Sequence, residues 1–433
     1  MMDILKQLKS KVQQAEVVDL RQQTTSVEFE ANRFKTSTVE ETSGVAVRVV
    51  RDGRVGFSAS SDPRAMDRLI ANVLESAAFG EEIPLAFPGP QAAPQVRTYD
   101  ATIAELPVAR LVEIGREIVD LMLSTDPAVQ VNIGLTRSTD HLTLRNQAGA
   151  DVSFRRSPLS IGMEVDRIEG DDVLILFDVV GTTLWEDDYM AFAHRLAAKL
   201  RMARNLTSIQ TGKMPVLFSP TGSLALGLPL TAGLNGKNVF TGTSPLARKI
   251  GEKLLDEKIT VIDDGTLDGR FGSAPYDDEG VPRRRNTLIE RGVLKGFVYD
   301  LKTAVQSGVE TTGNGSRRLF SVPQPAPSNL MMAPGDKPLA DIIAGIDHGL
   351  LVEDVLGLGQ GNIISGAFSN PLSLAFKIEH GEIVGRVKNV SIAGNVYDLL
   401  RDVAAVSQES LWVYTGFSLP YILLPEMNVV AQG

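Results

Sequence analysis

The side chains that most often bind metal ions or move protons are few in this chain and lie far apart in its sequence. The chain has no cysteine, and its histidines are His141, His194, His348 and His380. No two of them are close enough to share a helix face, and His-Glu-x-x-His does not occur. A catalytic zinc ion usually takes three protein ligands, so a site would have to be assembled from distant residues. We therefore predict no metal site and no catalytic residue.

Acidic runs could supply a general acid and a general base without a metal. The candidates are Asp263-Asp264 and Asp277-Asp278-Glu279. Proton transfer needs such groups close together, but acidic loop residues are more often simply solvated. The Gly-x-Ser-x-Gly nucleophile motif is also absent. A hydrolase that uses the second run with a hydroxyl donor is kept as an alternative.

Two glycine-rich segments could bring another backbone close to this one. They are Thr312-Gly313-Asn314-Gly315 and Gly357-Leu358-Gly359-Gln360-Gly361. Neither is a phosphate-binding loop, because Gly-Lys-Ser/Thr is absent and the third glycine of Gly-x-Gly-x-x-Gly would fall on Asn362. Glycine permits close backbone approach, which suits an extended peptide added to a sheet edge. The alternative is tight turns with no ligand. The candidate peptide-binding residues are Gly313, Asn314, Gly315, Gly359, Gln360, Gly361, Asp277 and Asp278.

The first half of the chain alternates between strand and helix patterns. Helices are predicted over residues 2–16 and 107–124, each with an apolar face, and over 188–206. A further helix is predicted from an N-cap at Asp62, with Pro63 at its first position, through Ala78. Alternation of apolar and polar residues predicts strands around 26–31 and 45–49, and Asp52-Gly53 is typical of a hairpin turn. Residues 173–180 form a strongly apolar strand pattern.

The composition changes near Thr211-Gly212, after which glycine is frequent and long helices are few. Glu290-Arg291-Gly292 and Glu379-His380-Gly381-Glu382 are typical of hairpin turns, so His380 is expected in solvent, where it would contact a metal only incidentally. Short helices are predicted over 246–255 and 338–346. We predict an α+β protein with two domains: a mixed N-terminal domain over 1–210, with an antiparallel sheet and long helices, and a mainly β, glycine-rich C-terminal domain over 211–433.

The overall charge argues against some classes of partner. The chain has 433 residues and a formal net charge of −10, so binding to nucleic acid or to an anionic membrane is not expected. Arg283-Arg284-Arg285 is the main basic run. No apolar run approaches the roughly 20 residues that cross a bilayer, and Met1–Gln14 lacks the apolar core of a signal peptide. We expect a cytoplasmic protein.

These segments together resemble the TldD/PmbA family, also described as modulators of DNA gyrase, and within it the PmbA (TldE) branch. The resemblance covers nearly the whole chain and is densest in the second half. It is carried by Gly44–Val49 and Gly53–Ser58, and then by Phe271–Gly280, Gly292–Gly296, Thr312–Gly315, Gly357–Gly361, Ile392–Asn395 and Leu423–Met427.

The resemblance implies a two-subunit peptidase that cleaves unfolded or extended peptides. The TldD-type subunit holds zinc through His-Glu-x-x-x-His and a cysteine, whereas the PmbA type has the same fold without the metal. In this chain the two histidines and the glutamate fall on Gly227, Ala232 and Leu228, and the cysteine has no counterpart. Zinc is therefore expected only in the catalytic partner.

Our main hypothesis from the sequence is thus a non-catalytic subunit that pairs with a TldD-type subunit and forms a homodimer when alone. The alternative is a stand-alone peptide- or protein-binding homodimer without proteolytic activity.

Overall fold

A computed structural model describes residues 1–62, 64–318, 320–360 and 362–431, and the statements below concern these residues. The predicted α+β class is confirmed, because two large sheets are accompanied by helices that pack on them. The helices are α1 Met2–Leu8, α2 Met66–Ala78, α3 Ala101–Ala104, α4 Val108–Thr125, α5 Ala191–Met202, α6 Leu224–Gly233, α7 Gly236–Phe240, α8 Leu301–Ser307, α9 Leu339–Ala344 and α10 Val396–Leu399.

The N-terminal sheet is antiparallel, and its three longest strands, of 17 to 19 residues, are neighbours at its centre. Its strands are β1 Gln14–Glu30, β2 Arg33–Arg51, β3 Arg54–Ser60, β4 Gln130–Asn146, β5 Asp151–Arg156, β6 Leu159–Glu169 and β7 Asp172–Thr182. They are ordered β3-β2-β1-β4-β6-β7, and β5 pairs with β4. Helices α4 and α5 pack on this sheet through apolar side chains such as Leu111, Ile114 and Leu196.

The second sheet closes on itself. Its strands are β8 Gly212–Phe218, β9 Val261–Asp264, β10 Arg285–Glu290, β11 Val293–Leu294, β14 Leu330–Met332, β15 His348–Val355, β16 Ala367–Glu379, β17 Glu382–Arg386, β18 Val390–Asn395, β19 Ala405–Val413 and β20 Phe417–Ala431; β12 Gly315–Ser316 and β13 Gln324–Pro325 form a separate pair. The order β20-β18-β16-β15-β8 is completed by pairing of β8 with β20. A ring of five strands results.

The two halves share a hydrophobic core. Phe376 of β16 and Leu351 of β15 belong to the same buried cluster as Ile118 of α4 and Leu196 of α5. A second cluster fills the strand ring and includes Leu226 of α6. No described helix is both long enough and apolar enough to span a bilayer.

Some local predictions need correction. Residues 246–255 do not form a helix, since Arg248 and Gly251 have φ values of 64° and 89°, which a right-handed helix cannot contain. The first helix ends at Leu8, and β1 begins at Gln14 within the segment predicted as helix. The three predicted hairpin turns are confirmed: Asp52, Arg291 and His380 have φ of 51°, 47° and 50°, and a glycine follows each.

Candidate functional site

Helix α6 carries Gly227, Leu228 and Ala232, where the resemblance leads us to expect a degenerate zinc motif, and it is apolar on nearly all sides. It follows β8 directly and is buried along most of its length, as expected of a helix without a polar face. Gly227 is buried, whereas Leu228 and Ala232 are half-buried. Pro229 lies inside the helix. Thr231 is the polar residue in the segment from Gly227 to Ala232, and its Oγ1 donates to the carbonyl of Gly227 at 2.7 Å.

A cavity of about 530 Å³ opens beside this helix. Leu224, Ala225, Leu228 and Pro229 form its α6 wall, and the facing wall consists of residues 356–360, 362 and 363 with the first residues of β16. Its polar lining consists of hydroxyl and carboxamide groups, from Ser369, Gln360, Asn362 and Asn370. The volume lies within the usual range for small-ligand sites.

One side of β16 is open at this cavity. Residues Ala367–Pro371 pair with β18, but β15 pairs with β16 only between Leu372 and Glu379. A register shift where β15 ends marks a bulge, and the last bond from that side runs from the Leu356 N–H to the Pro371 carbonyl at 2.9 Å. Backbone groups of alternate residues point to the same side of a strand. Those of Ser369 and Ala367 therefore point to the same side as Pro371, where no described strand pairs with them.

The glycine loop over 357–360 forms the rim of this cavity. Gly357 and Gly359 have φ values of 72° and 81°, in the region that favours glycine. The side-chain amide of Asn370 donates to the Leu356 carbonyl at 2.7 Å and ties the loop to β16. Gly359 and Gln360 are exposed, and Gly361 lies outside the described residues. Of the predicted peptide-binding residues, Gly359 and Gln360 thus share a cavity with Leu228.

The other glycine loop is buried and is held by carboxylates. Asn314 is 1% exposed, and its side-chain amide donates to Asp263 at 2.6 Å. The N–H of Gly315 donates to Asp277 at 2.8 Å. A Cβ on Gly313 would lie 2.6 Å from the Pro282 carbonyl oxygen. Here the glycine residues permit close packing of the protein's own backbone.

The acidic run is part of an ionic cluster that joins the two halves. Glu279, fully buried, accepts from Arg48 of β2 at 2.6 Å, and Arg48 also donates to Glu16 of β1 at 3.2 Å. Arg317 donates to the other oxygen of Glu16 at 2.8 Å. The carboxylate of Asp277, also fully buried, accepts three backbone N–H groups.

Burial raises the pKa of Asp277 and Glu279, and their mutual repulsion adds to the shift at Glu279. Desolvation of a carboxylate disfavours its charged form. Both side chains have their oxygens occupied within the protein, so their arrangement is that of structural carboxylates. Asp278 is half-buried and lines a different, smaller cavity of about 260 Å³ with Arg156, Arg283 and Arg317.

The α6 cavity does not suit a zinc ion. Zinc in proteins is held by thiolate, imidazole or carboxylate ligands, and the described residues that line this cavity include none of them. Carboxamide oxygens are weak ligands for zinc. We therefore derive no chemical step through a metal at α6.

The proximity of two histidines was not predicted from the sequence. His348 begins β15 and His380 lies in the turn between β16 and β17, and the rings are 5.2 Å apart. The turn around His380 was predictable, but the antiparallel pairing of β15 with β16 that brings His348 beside it was not.

The sequence matches known proteins over nearly its full length. Residues 211–431 match the description "PmbA/TldA metallopeptidase C-terminal domain", and residues 15–77 match domain 1 of the same family. A metalloprotease TldD homologue of Buchnera aphidicola is 36% identical over 47% of this chain, but that alignment spans only 43% of the relative. A metalloprotease of Methanothermobacter thermautotrophicus is 25% identical over 94% of this chain and 90% of its own.

Solved structures show the same fold. TldE of Thermococcus kodakarensis superposes with a TM-score of 0.91 and 27% identity, with all of both chains covered. A proposed modulator of a DNA gyrase from Thermotoga maritima gives a TM-score of 0.89 over 99% of each chain, and at 24% identity it supports the fold alone.

Proposed function

Because the chain belongs to the PmbA/TldD metallopeptidase family, we propose that it is a PmbA/TldE-type subunit without its own catalytic centre. It would pair with a TldD-type subunit, which holds the zinc ion and cleaves the peptide bond. This chain would supply part of the substrate-binding surface.

The observation that carries this proposal is the lining of the α6 cavity. The resemblance leads us to expect the zinc-motif positions at Gly227, Leu228 and Ala232, and Leu228 faces the cavity as part of an apolar wall. A zinc-bound water becomes a nucleophile near neutral pH only when ligands fix the ion. Because those ligands are missing, chemistry must come from another chain if the pair is a peptidase.

The open side of β16 supports a role in holding an extended peptide. Backbone N–H and C=O groups on an unpaired strand edge can bind a further strand, with side-chain pockets adding specificity. Here that edge borders a cavity with apolar walls and a few carboxamides. An unfolded peptide offers both the backbone and the side chains that such a surface requires.

Reconstitution tests the proposal. The purified chain would be mixed with a purified TldD-type subunit, and cleavage of an unstructured peptide would be followed over time. We expect the mixture to cleave at least tenfold faster than either subunit alone. Equal rates with and without this chain would contradict the subunit role, and turnover by this chain alone would contradict its lack of a catalytic centre.

A matched pair of variants links the activity to the cavity. Leu228→Arg would introduce a charged side chain into the α6 wall and should lower the rate of the mixture. Val309→Arg is the control, because Val309 is exposed after α8 and does not line the cavity. If both variants behave like the unmodified chain, the cavity has no part in cleavage.

A stand-alone binding protein is the second candidate, because the open side of β16 could hold a peptide without any chemistry. In that case a labelled unstructured peptide would bind the isolated chain with the same affinity whether or not a TldD-type subunit is present. Formation of a homodimer by the isolated chain, a cytoplasmic location and the lack of nucleic-acid binding stay predictions.

A further inference from the structure

A group of metal-binding side chains lies on the surface, away from the α6 cavity. Among the described residues, Asp347, His348 and His380 each offer a ligand atom, and these atoms lie within 4.8 Å of one another. The Nδ1 atom of His380 is 2.7 Å from Asp347 Oδ1, and the Nε2 atom of His348 is 3.5 Å from Asp347 Oδ2. None of the three residues lines the cavity beside α6.

The backbone fixes the positions of these residues. His348 and Glu379 are directly paired across β15 and β16, so the turn that follows Glu379 is held over the start of β15. The N–H of His380 donates to the Asp347 carbonyl at 2.6 Å, and the N–H of Gly381 donates to the Ile346 carbonyl at 2.9 Å. The three side chains thus lie on two backbone segments that are already hydrogen-bonded to each other. The backbone therefore needs little further ordering when an ion binds.

We propose that Asp347, His348 and His380 form a binding site for a divalent transition-metal ion, with Zn²⁺ as the ion that fits best. Two imidazole nitrogens and one carboxylate oxygen are a ligand set that suits zinc, copper and nickel, whereas magnesium and calcium prefer oxygen ligands alone. Water completes the coordination, because the three side chains are between 60% and 75% exposed.

The distances are close to those that a bound ion requires. Zinc–nitrogen bonds of about 2.0 Å in a tetrahedron separate neighbouring ligand atoms by about 3.3 Å. The observed separations of 2.7 and 3.5 Å, which run to the two different oxygens of Asp347, lie on either side of this value. The three ligand atoms lie within 4.8 Å of one another, so the exposed side chains must rotate to bring them around one ion.

Glu379 lies on the side of the His348 ring away from Asp347. Its Oε1 atom is 3.7 Å from Nδ1 of His348, too far for a hydrogen bond, and it accepts from Lys377 Nζ at 3.0 Å. The Nε2 atom of the same ring faces Asp347. A negative charge near the far nitrogen of a metal-binding imidazole favours a proton there and leaves the other nitrogen for the ion.

Spectroscopy on the full chain tests this site. The protein would be freed of metal with a chelator and titrated with Co²⁺, whose visible absorption reports nitrogen and oxygen coordination, and then with Zn²⁺ to displace it. We expect one equivalent to bind. His380→Asn and His348→Gln should each weaken binding at least tenfold, and Asn at 380 is compatible with the positive φ there.

The control is His141→Gln, because His141 is also exposed but lies on β4 of the other sheet. Binding should be unchanged in this variant. The site is refuted if no Co²⁺ binds, if His380→Asn binds as tightly as the unmodified chain, or if His141→Gln loses the ion. Since the readout is binding to the isolated chain, its failure leaves the proposed role with a TldD-type partner untouched.

Discussion

The buried carboxylates of Asp277 and Glu279 make the stability of the chain depend on pH near neutrality. Burial raises the pKa of Glu279 to about 7, and in the unfolded chain the same group has an ordinary value near 4.3. The folded state therefore binds the proton more tightly. Stability from this group is greatest below the unfolded pKa and falls as pH rises through the folded value.

We therefore expect the free energy of unfolding to fall as pH rises from about 5.5 to about 8, by an amount on the order of 1–3 kcal/mol from this cluster. Glu279→Gln removes the titrating group and should flatten that dependence. Urea unfolding of both proteins at the two pH values measures the difference. Parallel curves for the variant and the unmodified chain would rule out this assignment.

The two glycine loops should differ sharply in their tolerance of a side chain. At Gly313, φ is 72° and a Cβ would clash with the Pro282 carbonyl, whereas Gly359 has φ of 81° and a Cβ there would meet no atom within 4 Å. Gly359→Ala should cost about 1–2 kcal/mol from backbone strain alone. Gly313→Ala should cost clearly more, because backbone must also move.

Denaturant midpoints of the two variants provide the measurement. Equal losses would show that the packing around Gly313 is looser than the structure indicates.

The sequence predicted that the glycine residues of these loops permit close approach of another backbone, but it did not predict what surrounds each loop. Glycine content shows that a backbone approach is possible, and it does not say whose backbone approaches. The sequence did not predict that the side-chain amide of Asn314 donates to Asp263, which is distant in sequence. Burial of this kind depends on long-range packing, which a local pattern does not encode.

Among the elements, β16 is the one whose role can be tested by a single backbone change. Ser369→Pro removes an N–H on the open side of the strand, and because alternate residues bond to β18, that pairing is retained. Ser369→Ala keeps the N–H and removes only the hydroxyl.

We expect Ser369→Pro to weaken peptide binding, or cleavage by the reconstituted pair, at least tenfold, whereas Ser369→Ala should have little effect. Fluorescence anisotropy of a labelled peptide is a suitable measurement, with circular dichroism to check the fold. If the proline variant binds normally, the peptide does not pair with this edge.

Elements with strong local patterns were predictable, and those decided by tertiary packing were not. The helix at Val108–Thr125 and the turn at Arg291-Gly292 follow from an apolar stripe and from residues that tolerate positive φ. The segment after Leu246 has helical composition but adopts turns. The α6 cavity combines Leu228 with Gln360, which are distant in sequence, so no local pattern could indicate it.

For the whole molecule, Arg48 is the side chain that couples the halves most directly. It lies on β2, is 3% exposed, and bridges Glu16 and Glu279. Arg48→Leu would leave the buried Glu279 without its cation and Glu16 with Arg317 alone, and breaking a buried ion pair in this way typically costs about 3–5 kcal/mol.

Arg51→Leu is the matched control, because Arg51 lies at the end of the same strand but its side chain is 45% exposed; it should change stability by less than about 0.5 kcal/mol. Chemical unfolding followed by far-UV circular dichroism distinguishes the two. Similar stability for both variants would mean that the buried ion pairs do not hold the halves together.

The pairing of β15 with β16 ends at a bulge, and this has a consequence for the peptides that the open part of β16 would bind. In an extended peptide that pairs with the open edge of β16, successive side chains would point to opposite faces. Every second side chain would point toward Leu228 and its neighbours, and the others would point away. In a positional scanning peptide library, selectivity for particular residues should then be high at every second peptide position and low at the positions between. Such a subunit would accept many different sequences while preferring apolar residues at alternate positions.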